Sequence, residues 1–287
     1  MQVPLVSVGV PTYNRPSGLK KCLEHLLAQS YIHLEIIISD NSSENPDVQQ
    51  TILHYASTDS RIRHFKQPVN IGLEANFNFV YANASGPYFI WASDDDLLEY
   101  NYIEECVKFL EKEPDYVLCS GEAKYYAGDK FVFSEPMFRV DQRNNAARLM
   151  KFFAKVQKNG NFYGVFRNGL LSNTPLGYHV GCDWSFMGKL AVIGKLSYVE
   201  STSYHRSVEG NSQTRKKMIQ KFGYKGLKNI FFETYLACLV SNNIFTDKSV
   251  RKKIKWLKRK LLVIMVFLQI NWKLFFKFVK KIFGKKT

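Results

Sequence analysis

Three consecutive carboxylates, Asp94, Asp95 and Asp96, follow an apolar, aromatic run over residues 88–92. A run of that composition reads as a buried strand. Neighbouring carboxylates repel one another, and each costs free energy to desolvate unless a cation or donor compensates it. A hard divalent cation does this well, because Mg2+ and Mn2+ favour oxygen ligands and often share them with substrate phosphates. The plain alternative is a solvated acidic turn ahead of a helix starting near Tyr102.

The elements that would position these acids follow in order. Residues 5–10 form an apolar strand that stops at Pro11, which has no N–H for a ladder. A helix over 18–29 is capped by Ser17, with Leu19, Leu23, Leu26 and Leu27 on one face. Strands are expected over 34–39 and 62–66, and helices over 46–56 and 73–84. This alternation predicts a mostly parallel sheet with helices on both faces, which binds ligands at the carboxyl ends of its strands. Three strand ends are polar: Thr12-Tyr13-Asn14-Arg15, Asp40-Asn41, and Ser93 with the aspartates. Neither glycine-rich phosphate motif follows the first strand. Any nucleotide phosphates would therefore rely on a metal.

The chain has 287 residues, enough for one large core or two small ones. Its five cysteines (Cys22, Cys106, Cys119, Cys182 and Cys238) are scattered, with no paired spacing and no suggested zinc site. With no leader ahead of the first strand, reduced thiols and a cytoplasmic location are expected. The net charge of +15 is uneven. Thirteen of the 40 basic residues and no acid fall within 251–287, which leaves 27 basic against 25 acidic residues in the first 250. Such asymmetry points to an anionic surface as partner.

Four motifs together resemble family 2 glycosyltransferases of the GT-A fold, bacterial surface-polysaccharide type. They are Val8-Gly9-Val10-Pro11-Thr12-Tyr13-Asn14-Arg15, Ile36-Ile37-Ile38-Ser39-Asp40-Asn41-Ser42, Asn70-Ile71-Gly72-Leu73 with Asn76, and Trp91-Ala92-Ser93-Asp94-Asp95-Asp96-Leu97. Their order matches the family over roughly the first 110 residues. The resemblance implies that Pro11, Thr12, Tyr13 and Arg15 line a base and ribose pocket. Asp40, with Asn41 beside it, would meet the base, usually uracil, and Asn70, Gly72 and Asn76 would lie near the nucleotide. It also implies that Asp95 is the metal ligand, beside Asp94 and Asp96. Ser93 stands where the family has its first aspartate, so the ribose contact passes to Ser93 or Asp94.

Beyond residue 115 the resemblance continues more thinly. A strand over 116–125 and a hairpin partner over 129–133 are expected, then a helix over 145–156 and a strand over 162–167. Asp183 takes the position of the family's catalytic base, with Cys182 in place of its usual glutamate; as a helix-start residue it also makes a satisfactory N-cap. Trp184 offers an apolar face to a sugar ring or to the core. After a strand over 195–201, Arg206 matches the arginine that relatives often carry before a Gly-Asn-Ser stretch, here Gly210-Asn211-Ser212, and Val208 falls where they carry His. His205 or Arg206 would then meet the diphosphate, His205 as a metal ligand or by charge.

The last residues are helical in pattern. The apolar stretch 261–268 is too short to span a membrane. Trp272 and the aromatics after it alternate with lysines, as in a helix lying in an anionic membrane interface; packing on its own domain is the alternative. No nucleic-acid motif accompanies the charge. The expected division is a GT-A domain over 1–213, with halves 1–115 and 116–213, and a helical basic extension over 214–287. The expected reaction is metal-dependent (Mn2+ or Mg2+), inverting transfer from a nucleotide-diphosphate sugar to a glycan or lipid-linked acceptor, at the inner face of a membrane. A catalytically impaired nucleotide-sugar-binding module and a nucleotidyltransferase are the alternatives.

Overall fold

The computed structural model describes residues 3–172, 175–208 and 215–283. Strand β1 (Val6–Thr12) and strand β2 (Leu34–Asp40) are buried along their whole length. Strand β3 (Ile62–Lys66) buries mainly Ile62, and β4 (Tyr88–Trp91) is again wholly buried. Continuous branched and aromatic runs like these need cover on both faces. Helices α1 (Pro16–Leu27) and α2 (Pro46–Thr58) close one face, where Leu19, Leu23, Val48 and Ile52 join Val8, Ile36 and Ile90 in one core. Helix α3 (Leu73–Ala82) closes the other. There a Cβ on Gly9 would come within 2.7 Å of Val80 and Phe89, so the absent side chain sets that approach. Helix α4 (Tyr102–Lys112) packs Tyr102, Ile103 and Cys106 back into the first core.

The remaining strands are β5 (Leu97–Leu98), β6 (Tyr116–Ala127), β7 (Lys130–Ser134), β8 (Val165–Arg167) and β9 (Lys195–Ser207). The sheet runs β3-β2-β1-β4-β8-β6-β9-β5, with β7 on β6. Its first four strands are parallel, and β8, β6 and β5 join by antiparallel pairs. In the β1–β2 register Thr12 lies opposite Asp40, while β4 parts from β1 at the Gly9–Trp91 pair. The polar strand ends therefore share one rim.

Several boundaries differ from the sequence reading, each for a local reason. β1 runs through Pro11 to Thr12. β4 has already left by then, so the missing N–H forfeits no ladder bond. Pro16 takes the first turn of α1 with Arg15 as N-cap, so Ser17 lies inside the helix and caps nothing. β9 extends to Ser207, and residues 202–207, expected as loop, are strand.

The chain packs as two compact units. The first holds Met1–Arg139, Gly160–Leu176 and Leu196–Asn211; the second holds Val140–Asn159, Gly177–Lys195 and Ser212–Thr287. Helices α5 (Asn145–Lys155) and α6 (Cys182–Ile193), which the sequence reading grouped with the sheet, thus belong with α7 (Arg215–Lys221), α8 (Leu227–Ile230), α9 (Phe232–Thr246), α10 (Lys248–Lys253) and α11 (Trp256–Phe283). Inside this second unit, buried Arg148 donates from Nε to Ala191 O at 2.7 Å and from Nη2 to Val192 O at 2.9 Å, satisfying carbonyls at the end of α6. Gly188 lets Ile244 of α9 approach closely; a Cβ there would meet its Cδ1 at 2.6 Å. Among the described residues, no helix is long and apolar enough to cross a membrane.

Candidate active site

The rim of the first unit gathers most of the residues singled out in the sequence. Leaving β4, the chain turns through Ser93 to Asp96 before β5. Asp94 is buried and accepts from Thr12 Oγ1 at 2.7 Å and from Arg15 Nη1 at 3.1 Å. The same Arg15 Nη1 lies 2.7 Å from Asp95 Oδ2, and the Ser93 hydroxyl donates to Asp95 Oδ1. Asp96, also buried, accepts from the Tyr204 hydroxyl at 2.5 Å and from Ser207 N at 3.3 Å. Arg206 Nε pairs with Asp96 Oδ2 at 3.4 Å. Asp95 is the most exposed of the three, its side chain 25% accessible.

The electrostatics follow from burial. Desolvation pushes the Asp94 carboxyl up to about 6, although the Thr12 hydroxyl and the Arg15 charge pull it down. Desolvation likewise carries Asp96 to about 6 against the Arg206 charge, with Asp95 adding repulsion. Burial lowers the affinity of Arg15 for its proton, but Asp94 and Asp95 more than reverse that and leave it raised. The turn is thus an acidic knot tied by two guanidinium groups, and its middle carboxylate is the one turned toward solvent.

Around this knot the other rim loops interlock. Asn14, at φ 56°, donates its N–H to Ser43 Oγ at 2.8 Å, and its Oδ1 accepts from Glu44 N and Asn45 N. Asp40 is 1% exposed; its Oδ1 accepts from Ser43 N at 2.9 Å, while its buried Oδ2 has no hydrogen-bond partner. A buried carboxylate oxygen left open in this way is an acceptor awaiting a donor. Asn41 donates to Asn70 Oδ1 at 3.0 Å and accepts from Ile71 N at 2.9 Å, and Asn70 Oδ1 also accepts from Gly72 N. Gly72, at φ 88° and ψ 162°, holds a conformation that only glycine adopts readily. Pro11 is buried in β1, and Tyr13 is 39% exposed beside it. Asn76 is buried against β2, taking Ser39 Oγ at 2.6 Å and donating to Ser39 O at 3.0 Å; it joins α3 to the strand that carries Asp40.

Two expected participants have other partners. Successive strand residues face opposite sides. Tyr204 and Arg206 therefore reach Asp96, while His205 meets Glu99 at 3.2 Å and Ser203 at 2.9 Å and lies on Tyr126 at 4.8 Å. It is Glu99, not the aspartate turn, that His205 joins, because it stands on the other face of β9. Asp183 lies in the second unit, in the first turn of α6. Gly181, at φ 77°, is the N-cap, so Asp183 does not cap the helix. Asn159, buried and at φ 62°, donates from Nδ2 to Asp183 Oδ2 at 3.0 Å. Trp184 is half-buried, its ring 6.4 Å from that of Phe153. The stretch Gly210-Asn211-Ser212, used to align Arg206, lies outside the described residues.

Sequence reasoning missed three residues that shape these sites. Gly18 is one: a Cβ there would fall 2.2 Å from Asp94 O, so only glycine lets α1 start against the acidic turn. A glycine in a first helical turn, where propensity disfavours it, was the available signal. Tyr204 was legible only once residues 202–207 were known to be strand. Asn159 was signalled by its Asn-Gly turn pair with Gly160.

Comparison with known proteins fits this architecture. Over 110 residues the chain is 34% identical to an uncharacterized glycosyltransferase of Rickettsia felis, covering 38% of this chain and 18% of that one. The chain thus spans about a fifth of that relative's length. It is 25% identical over 252 residues to EpsH of Bacillus subtilis, a protein named as a glycosyltransferase, covering 85% of this chain and 71% of EpsH. In structure it is similar to S. aureus TarS 1-349 in complex with UDP-GlcNAc (TM-score 0.67, 15% identity, 93% of this chain and 72% of that one). It is also similar to the mannosyltransferase PcManGT of Pyrobaculum calidifontis in complex with GDP-Man and Mn2+ (TM-score 0.55, 16% identity, 99% and 88%). At such identities the likeness concerns the fold, the mixed sheet with flanking helices of the GT-A type. The family model for glycosyl transferase family 2 matches residues 7–172, more than half of the sequence and every rim motif, and the chain belongs to that family.

Proposed function

We propose that the protein moves a glycosyl group from a nucleotide-diphosphate sugar, a UDP-sugar first, to a hydroxyl of a glycan or lipid-linked acceptor, with inversion at the anomeric carbon. The observation that carries this reading is the acidic turn: two buried aspartates matched to Arg15 and Arg206, with Asp95, also paired to Arg15, the most exposed of the three at the strand ends. The buried, unpartnered Oδ2 of Asp40 supports recognition of a base, since an ionised carboxylate only accepts and a uracil ring N–H donates. Thr12, Tyr13, Asn41 and Asn70 would shape the walls of that pocket, with Pro11, Gly72 and Asn76 fixing the loops behind them.

The residues present fit a divalent cation in one form. Among the described residues no group of three or more His, Cys, Asp or Glu is arranged to hold a metal. Mn2+ or Mg2+ would therefore sit on Asp95 and take its other ligands from the donor's phosphates. PcManGT with GDP-Man and Mn2+ supports this by its shared fold. Such a cation supplies Lewis-acid stabilisation to the departing diphosphate. Arg15 and Arg206 orient the diphosphate by charge-assisted contacts. Asp183 takes the acceptor hydroxyl's proton as its oxygen bonds to the anomeric carbon. The bond from that carbon to the phosphate oxygen breaks on the opposite face, and the nucleoside diphosphate leaves with its electrons. The basic run over 251–287 supports a peripheral place on an anionic membrane, on its cytoplasmic side.

The test is a panel of sugar nucleotides with Mn2+ or Mg2+ and candidate acceptors, reading free nucleoside diphosphate. Release abolished by Asp95→Ala and by Asp183→Asn is expected. Tight nucleotide binding with no release marks an impaired binding module, and pyrophosphate release marks a nucleotidyltransferase.

A further inference from the structure

Helix α11 carries two apolar faces where the sequence reading expected one. Leu262, Val266 and Ile270 recur every four residues and are buried at 3% exposure or less. Gln269 Nε2 donates to Met150 O at 3.0 Å on the same side of the second unit. This face is used in packing. Leu257, Leu261, Ile264, Met265 and Leu268 also recur at helical spacing, on a different face, and are 46–67% exposed. Trp272, likewise exposed, extends that face toward the end of the chain. A contiguous apolar ridge of this kind on a folded surface marks an interaction site.

We infer that this outward ridge is the surface that enters the headgroup region of an anionic membrane, lying along it rather than crossing it. The inference rests on the peripheral-membrane reading above and says which side chains do the work. The argument for lipid is charge and shape. Lys258 and Lys260, both exposed, flank the ridge one on each side. Lys260 Nζ lies 4.0 Å over the Trp256 ring, a pairing of cation and aromatic suited to a wet apolar boundary. Arg251, Lys252 and Lys253 end α10 just ahead, all exposed, and residues 248–272 hold eight cations and no acid. A second copy would set two such runs against each other, a repulsive arrangement. A layer of anionic phosphates over an apolar boundary meets both the lysines and the ridge. The side chains over 273–283, where lysines and aromatics alternate in sequence, lie outside those described.

The full-length protein should float with vesicles of phosphatidylcholine and phosphatidylserine, and brominated lipid in them should quench its tryptophan fluorescence. The combined variant Leu261→Ser, Ile264→Ser, Leu268→Ser should weaken flotation about tenfold or more. Its circular dichroism and thermal midpoint should be unchanged, because these side chains lie outside the core. Lys258→Gln with Lys260→Gln should weaken it less, and the loss should shrink as salt rises. If the serine variant floats like the parent while the lysine variant does not, charge alone holds the protein; the ridge assignment fails and the membrane reading stands. If the parent itself does not float, both fail. A concentration-dependent dimer in sedimentation that the serine variant abolishes would make a second copy the occupant and overturn the inference.

Discussion

The two sets of carboxylates assigned to chemistry are held in opposite ways. In the first unit, Asp94 and Asp96 are buried and each meets a guanidinium and a hydroxyl. In the second unit, Asp183 is half-buried and takes an amide N–H from Asn159, a neutral donor, at 3.0 Å. Cationic partners fix a cluster of negative charge in one geometry. A neutral amide orients a carboxylate without cancelling its charge and leaves it able to accept a proton. Under the proposed function, the difference would separate an electrostatic site from a site for proton transfer, although both are made of aspartate.

If that contrast is sound, substitutions should divide along it. Asp183→Asn removes the proton acceptor and keeps the shape, so turnover should fall about 10²–10⁴-fold with little change in donor KM. Asp95→Asn should cost about 10²–10³-fold in activity and should also raise donor KM, because it weakens the hold on the diphosphate. Steady-state kinetics on one donor distinguishes the two patterns. Arg206→Ala leaves Asp96 buried without its cation and should destabilise by about 3–5 kcal/mol in urea unfolding; Asp183→Asn, which strands no buried charge, should stay within about 1 kcal/mol. Gly18→Ala forces α1 off the Asp94 carbonyl and should cost about 1–3 kcal/mol, with donor KM raised in step.

The smallest expected effect concerns pH. Burial, with Lys189 nearby, holds the His179 proton affinity below its ordinary value near 6.5. Above that value His179 is neutral in both folded and unfolded chains and does not affect stability. Below it the unfolded chain takes up the proton first, so the His179 contribution to stability falls as pH drops, while Asp94 and Asp96, raised to about 6, contribute in the opposite direction. Relative to the parent, His179→Gln should gain in urea midpoint as pH is lowered from about 7.5 to 5.5.

Most of the first unit was legible because its signals are local. Branched runs ending in polar residues place Thr12, Asp40 and Asp95 on one rim from the sequence alone. What stayed hidden depended on partners distant in sequence. Arg206 and Tyr204 reach Asp96 because β9 continues six residues past its expected end, and pairing with β5, not propensity, extends it. His205 turns away for the same reason: strand alternation decides its face. Ser17 failed as a cap because Pro16 started the helix earlier. In α11 the hydrophobic count was right, but periodicity alone does not say which of two apolar faces the rest of the unit will cover.

The central claim is that the acidic turn meets a donor diphosphate, and a crystal structure with UDP and Mn2+ tests it most directly. The account predicts the cation on Asp95, the diphosphate against Arg15 and Arg206, and a uracil N–H on Asp40 Oδ2. A nucleotide bound with its base away from Asp40, or an acidic turn still closed by Arg15 with no cation or phosphate against it, would contradict the account.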